Sequence, residues 1–211
     1  MNDFLQRLQT QAWRTSGARY NAARRLKRRD WLATFSIAMF SAIGIALAVV
    51  QKVYVQKSTP ELDSYITVVS ACIGLFVLVI SLIEWGASGA VKADALHRNA
   101  ELLNQFQRKI EQDLASSIAL DEPLATARRQ EYEEIKAGCA HNHEPVDDML
   151  FRAQQRLSKE FRADCKLDGK PLMSWIKGKL AVLMALWSAA WAYLAFWVVI
   201  LGLLLNIPWG H

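Results

Sequence analysis

Residues 24–50 read RRLKRRDWLATFSIAMFSAIGIALAVV, and the change of character at Trp31 decides the fold. Five cations fall within six residues, one aspartate follows, and residues 31–50 then carry no charge at all. At about 1.5 Å rise per residue, a helix needs roughly 17–25 apolar residues to cross a hydrocarbon layer of about 30 Å. Residues 66–83 and 180–205 also reach that length without a charge or a proline. A buried helix of a soluble core competes best for the middle run, which is the shortest and holds Thr67, Ser70, Cys72, Gly74 and Ser81. Three such runs in 211 residues describe a polytopic all-α membrane protein, and no β pattern of any length interrupts them.

The net charge of +5 is a property of one end of the chain. Residues 1–30 hold eight Lys/Arg against Asp3 and Asp30, whereas residues 84–179 are close to neutral, with fifteen basic and sixteen acidic groups. Lys/Arg in short flanks beside a span mark its cytoplasmic side. The cluster Arg24, Arg25, Lys27, Arg28 and Arg29 therefore reads as the residues that set topology, in a multi-pass membrane protein with a cytoplasmic N-terminus. The expected organisation is a basic amphipathic cytoplasmic helix (1–30), span one (31–50), an external loop (51–65) and span two (66–85). A cytoplasmic helical region (86–179), span three (180–205) and an external tail (206–211) follow. Lys177 and Lys179 flank span three on the inner side, with Pro208 and Trp209 beyond it. An export signal is the poorer reading, because the charged leader is long and the apolar run is of span length. Three cysteines, one of them inside a span, do not suggest a disulfide framework.

In the arm, Phe4, Leu8, Ala12, Thr15, Ala22 and Leu26 follow helical spacing, with a possible kink at Ser16-Gly17 and a basic face suited to anionic headgroups. Small residues line span one (Thr34, Ala38, Ser41, Gly44, Ala48) and span two (Thr67, Ser70, Gly74, Ser81). In lipid, small faces permit close approach of helices, so these stripes are expected to pair the two spans as a hairpin. The competing use is the wall of a pore. Leu96, Leu103, Phe106, Ile110, Leu114 and Ile118 then form a coiled-coil-like seam on a helix expected to continue straight from span two. A short helix beginning at Asp121-Glu122-Pro123 and stopping at Gly138 comes next, followed by another over 147–164.

The dense polar cluster is CAHNHEPVDD (139–148). Cys139, His141 and His143, with Cys165 from further along, supply a zinc-type ligand set, although the C-x-H-x-H spacing is not that of a finger or ribbon. A metalloprotease helix needs histidines at i and i+4, and position 147 is Asp. The plainer reading is a capped helix start, with Asn142 or Glu144 as cap and Pro145, Asp147 and Asp148 in the first turn. No phosphate loop, nucleophile triad or redox CxxC is present, and no charged side chain lies in the apolar runs 31–50, 66–83 and 180–205, so neither an enzyme nor a cofactor is expected. The arm lacks the aromatic interleaving of a nucleic-acid surface, which makes nucleic acid an unlikely direct ligand.

The stretches RYNAARRLKRRDWLATFSIAMFSAIGIALAVV (19–50) and EYEEIKAGCAHNHEPVDDMLF (131–151), with a second span soon after the first, resemble the SLATT family of SMODS- and SLOG-associating two-transmembrane effectors of bacteria. The similarity is greatest to the branch found beside reverse transcriptases, and it covers about residues 15–165. It includes an Asn-His-Glu-x-x-Asp element, here Asn142, His143, Glu144 and Asp147. The third span lies outside the two-span core of that family. The resemblance implies a pore-forming membrane effector of antiviral defence or abortive infection, active as a homo-oligomer in the lipid bilayer. Its partner would be a nucleotide-signal-producing enzyme, a SLOG-type sensor or a reverse transcriptase encoded nearby. A non-pore anchor or signalling scaffold that recruits a soluble partner through the 96–118 seam is the alternative.

Overall fold

The computed structural model describes residues 2–55, 60–116, 121–164 and 170–207. Of the described residues 89% are helical, and none is in a strand. Helix α1 spans Asn2–Val50 and passes into a π-helical turn, Gln51–Val55. There follow α2 (Pro60–Ala87), α3 (Gly89–Ala115), α4 (Glu122–Ala137), α5 (Pro145–Gln154), α6 (Lys159–Asp164) and α7 (Trp175–Leu205). Three helical stretches are long and apolar enough to cross a membrane, one near the N-terminus and one at the C-terminal end. That is the expected all-α membrane architecture, and it follows from the solvent: hydrocarbon offers backbone N–H and C=O groups no partner, so a single span satisfies them within a helix.

By contacts the chain divides into two compact units, a polar one from residues 1–27 and 90–188 and an apolar one from residues 28–89 and 189–211. In the polar unit the arm is a central helix and not a surface helix free to lie on headgroups. Leu5, Leu8 and Ala12 of α1 pack against Leu103, Phe106 and Ile110 of α3 and Tyr132 of α4, while Ala22 and Ala23 meet Leu96. The seam is thus covered by the chain's own N-terminal helix; Ile118, its last expected member, lies outside the described residues. The helix is not interrupted at Ser16-Gly17, since α1 continues through both residues. Gly17 has a different use. A Cβ there would overlap the ring of Phe151 on α5, which is itself wedged against Trp13 (centroids 4.8 Å apart) and Phe161 (6.1 Å).

Two helix boundaries differ from expectation. Span two does not run straight into α3: Ser88 interrupts it with φ 49°, a left-handed conformation, and its N–H donates back to the Glu84 carbonyl at 3.2 Å. The helix expected over 147–164 is two, because a turn at residues 155–158 separates α5 from α6. That turn puts Leu157 on the surface, while Phe151 and Phe161 stay buried. The start of α4 is as expected: the side chain of Asp121 caps it by accepting the Leu124 N–H at 3.0 Å, and Gly138 follows its last turn.

In the apolar unit, large side chains make up most of the core that joins the helices. Phe40 and Leu47 of α1, Ile66, Ile73 and Ile80 of α2, and Ile200 of α7 share one core. The third helix is tied to both members of the hairpin. Trp197 Nε1 donates to Ser36 Oγ at 3.1 Å and its ring lies 4.8 Å from that of Phe40, while Tyr65 Oη donates to the Leu203 carbonyl at 2.8 Å. Helix α7 enters this unit at Ala189, nine residues after the expected start of span three at Leu180. Helix α2 begins at Pro60, within the segment expected as the external loop, and Gln51 Nε2 donates to Asp63 Oδ1 and Thr67 Oγ1, both at 2.8 Å. Ser58, Thr59, Pro208 and Trp209 lie outside the described residues.

The Gly17–Phe151 approach yields a direct prediction. Gly17→Ala is expected to destabilise the fold by about 1–3 kcal/mol through overpacking, read as a lower melting temperature of the detergent-solubilised protein. Combining it with Phe151→Leu, which withdraws the ring edge, should recover part of the loss.

Candidate functional site

The first turn of α5 is where the polar cluster acquires a structure. Pro145 takes the first helical position, where a missing N–H leaves nothing unsatisfied. Glu144 is the cap residue and its N–H donates to Asp147 Oδ2 at 2.9 Å, half of a capping box. Asn142 does not cap α5; its Oδ1 accepts the N–H of His143 at 3.0 Å. Of the family element, then, Glu144 and Asp147 act together, and Asn142 and His143 belong to the connection that precedes them.

Asp147 also faces α1. It accepts from Arg25 Nε at 2.9 Å and from Nη2 at 3.1 Å, and Arg25 reaches Glu144 as well at 2.9 Å. The Asp147 side chain is 1% exposed and that of Arg25 11%, so the pair is out of water. The neighbouring Asp148 takes a two-pronged bond from Arg14, at 2.7 and 2.6 Å. Burial alone would raise the Asp148 pKa, but the Arg14 contact outweighs it and holds the carboxyl below its ordinary value. Arg14 and Arg25 lie about three helical turns apart on one face of α1, which lets them grip two adjacent acids. Within the cluster read as a topology signal, Arg25 is therefore a structural ion pair.

Arg19 lies between these two on the sequence and has no such partner. It is 3% exposed. Its Nη1 donates to Asn99 Oδ1 and its Nη2 to the Lys136 carbonyl at 3.4 Å, while Nε has no partner. Burial pushes its pKa below the usual arginine value. Arg19 lines a cleft of about 470 Å³ with Thr15, Tyr132, Lys136, His141 and His143. An adjoining hollow of about 410 Å³ shares Thr15, Tyr132 and His143 and is also lined by Arg14 and Asp148. The Nδ1 of His143 is buried without a partner, and burial pulls this imidazole below its ordinary pKa, so it is neutral at pH 7.

The zinc set is not assembled among the described residues. No three of their His, Cys, Asp or Glu side chains group as ligands, Cys139 is a half-buried free thiol, and Cys165 lies outside the described residues.

In the apolar unit the stripes of small residues do not make the helix pair they were expected to make. Thr34, Ala38, Ala48, Thr67 and Gly74 are exposed, and Ser41, Gly44, Ser70 and Ser81 are half-buried. Gly44 approaches the neighbouring helix, with Ile73 3.6 Å from where its Cβ would stand, and Thr67 Oγ1 accepts from Gln51 Nε2 at 2.8 Å. A polar tie that the spacing did not suggest joins all three helices at one point. Arg29 donates Nε and Nη2 to Glu84 Oε1 at 3.1 and 3.0 Å, and the Tyr193 hydroxyl donates to the same oxygen. Arg24, Lys27 and Arg28 are exposed, so the flank divides into free charges and structural ones.

Breaking the buried pair from one side leaves a charge without a partner. Asp147→Ala is expected to cost about 3–5 kcal/mol, seen as a large fall in melting temperature. The double variant Arg25→Met/Asp147→Leu should regain most of that stability, and a double variant no better than the single one would contradict the assignment.

The model of the SMODS and SLOG-associating 2TM effector domain family 5 matches residues 1–206. The match takes in the third apolar helix, which the resemblance had left outside, and it names the family without naming the reverse-transcriptase branch. No curated protein and no solved structure matches the chain. A family match over nearly its whole length, on a helical chain with three stretches able to span a bilayer, places the protein: it belongs to the SMODS and SLOG-associating 2TM effector domain family 5 and is a membrane effector of conflict systems.

Proposed function

We propose that the protein oligomerises in the bacterial inner membrane, N-terminus in the cytoplasm, and permeabilises that membrane when a nucleotide signal or a partner sensor engages the polar unit. The observation that carries this reading is the direction of the small faces. The chain builds its own three-helix core from Phe40, Ile66, Ile73, Ile80 and Ile200 and leaves Thr34, Ala38, Thr67 and Gly74 uncovered. Helices in lipid associate through faces of this kind, because small side chains let backbones approach. A second copy is the occupant that suits them, and the hydroxyls of Thr34 and Thr67 then stand where copies meet.

The scaffold reading needs the 96–118 seam to be free for a partner. Leu96, Leu103, Phe106 and Ile110 are instead buried by α1 and α4 of the same chain, which favours the effector reading over it. For the trigger to act, it must bind the open assembly more tightly than the closed one. An enzyme that makes a nucleotide signal, a SLOG-type sensor or a reverse transcriptase encoded nearby is the proposed source.

The test uses cells that express the protein together with the genes flanking its own, challenged with phage and followed by entry of an impermeant DNA dye. Dye entry on challenge is expected. Gly74→Leu should abolish it at unchanged protein level, because a Cβ at this position meets nothing within 4 Å in the chain's own fold. Membranes that stay sealed on challenge would contradict the proposal.

A further inference from the structure

Three arginines of α1, Arg14, Arg19 and Arg25, turn into the polar unit, and two of them meet carboxylates there. Arg14 has Asp148, and Arg25 has Asp147 and Glu144. Arg19 is the one shut away from water yet paired with no carboxylate among the described residues; both its acceptors, Asn99 Oδ1 and the Lys136 carbonyl, are neutral. A guanidinium carries five N–H groups, and these two contacts leave three unused. Removing a charge from water without a counter-charge is costly, so an anion from outside the chain is what such a residue lacks.

The cleft beside Arg19 can admit one. At about 470 Å³ it falls within the roughly 300–1,000 Å³ of small-molecule sites. Its charged lining is Arg19 and Lys136 against Glu133, which is already bonded to Lys136 at 2.7 Å. The next hollow along, of about 580 Å³, adds Arg7 and Arg129, for neither of which a carboxylate partner is found among the described residues. Polar and cationic walls that include His141 and His143 suit a phosphate group, which takes two or more guanidinium N–H bonds at once.

We propose that the cleft between α1, α4 and the 138–144 connection binds a small phosphate-bearing ligand, with Arg19 as its charged anchor and Lys136 as a second cation in its lining. This deepens the reading above by naming where a soluble trigger acts, and it rests on that reading only for the consequence of binding. The phosphate has two possible sources, a free small molecule or a lipid headgroup.

The experiment uses the full chain in nanodiscs of neutral phosphatidylcholine, titrated with inorganic pyrophosphate and with ADP, and in parallel nanodiscs that contain phosphatidic acid. Binding is followed by calorimetry and by melting temperature. A soluble phosphate compound is expected to bind and raise the melting temperature, with Arg19→Met weakening it by about tenfold or more and Lys136→Gln weakening it less. Ligand-free R19M should melt no lower than the wild type, since it sheds an unpaired buried charge. Stabilisation only in phosphatidic acid, lost in R19M, keeps the anchor and makes the headgroup the source. The proposal is overturned if no phosphate source stabilises the wild type, or if R19M and K136Q both respond as the wild type does. Because binding is read without leakage, phosphate binding by a chain whose cells stay sealed on phage challenge rejects the pore and keeps the site.

Discussion

A hydrocarbon solvent that cannot hydrogen-bond is the constraint on which the rest of this structure depends. It makes each span a helix, and it also decides what holds the helices together. Between apolar helices in lipid there is no hydrophobic drive, so association relies on shape and on polar ties. Both appear in the apolar unit: Phe40, Ile66, Ile73 and Ile200 interlock, while Trp197–Ser36, Tyr65–Leu203 and the Arg29–Glu84–Tyr193 cluster add directed bonds. The third helix is part of this arrangement through its own hydroxyl, indole and aliphatic groups.

The polar unit answers to the opposite constraint, because charges there must be matched when water is removed. Its acids and arginines are placed accordingly, with Asp147 serving at once as the internal partner of the α5 cap and as the counter-charge of Arg25. Arg19 stands out against that background. A chain that satisfies Arg14 and Arg25 with well-formed ion pairs, and leaves the arginine between them with neutral acceptors only, has kept a binding capacity in reserve. That capacity is chemically suited to a phosphate, and it sits on the helix that continues into the first span.

The architecture was legible in the sequence because span length and the absence of charge are unambiguous signals. The caps of α4 and α5 were legible for a similar reason: Asp121, Pro123, Glu144 and Pro145 act on their own local backbone. The pairing face was not. In a span every face is apolar, so periodicity cannot say which one meets a neighbour, and the small stripe was given a role that Phe40 and the isoleucines fill. The basic cluster misled in a related way. Five cations beside a span look alike in sequence, and only the register of α5 and the end of α2 separate Arg25 and Arg29, which are paired, from Arg24, Lys27 and Arg28, which are exposed. The burial of the arm was hidden because its alanines, Ala12, Ala18 and Ala22, give a weak apolar signal while forming a closely packed face.

The central claim is that the uncovered small faces of the spans meet those of a second copy. Cross-linking in native membranes tests it most directly, with single cysteines placed in a chain whose Cys72, Cys139 and Cys165 have been replaced. Ala38→Cys and Gly74→Cys are predicted to form disulfide-linked dimers on oxidation, whereas Leu47→Cys, on the face covered by the chain's own core, should not. Monomers at positions 38 and 74 under triggering conditions, or dimers that form equally well at 47, would contradict the account.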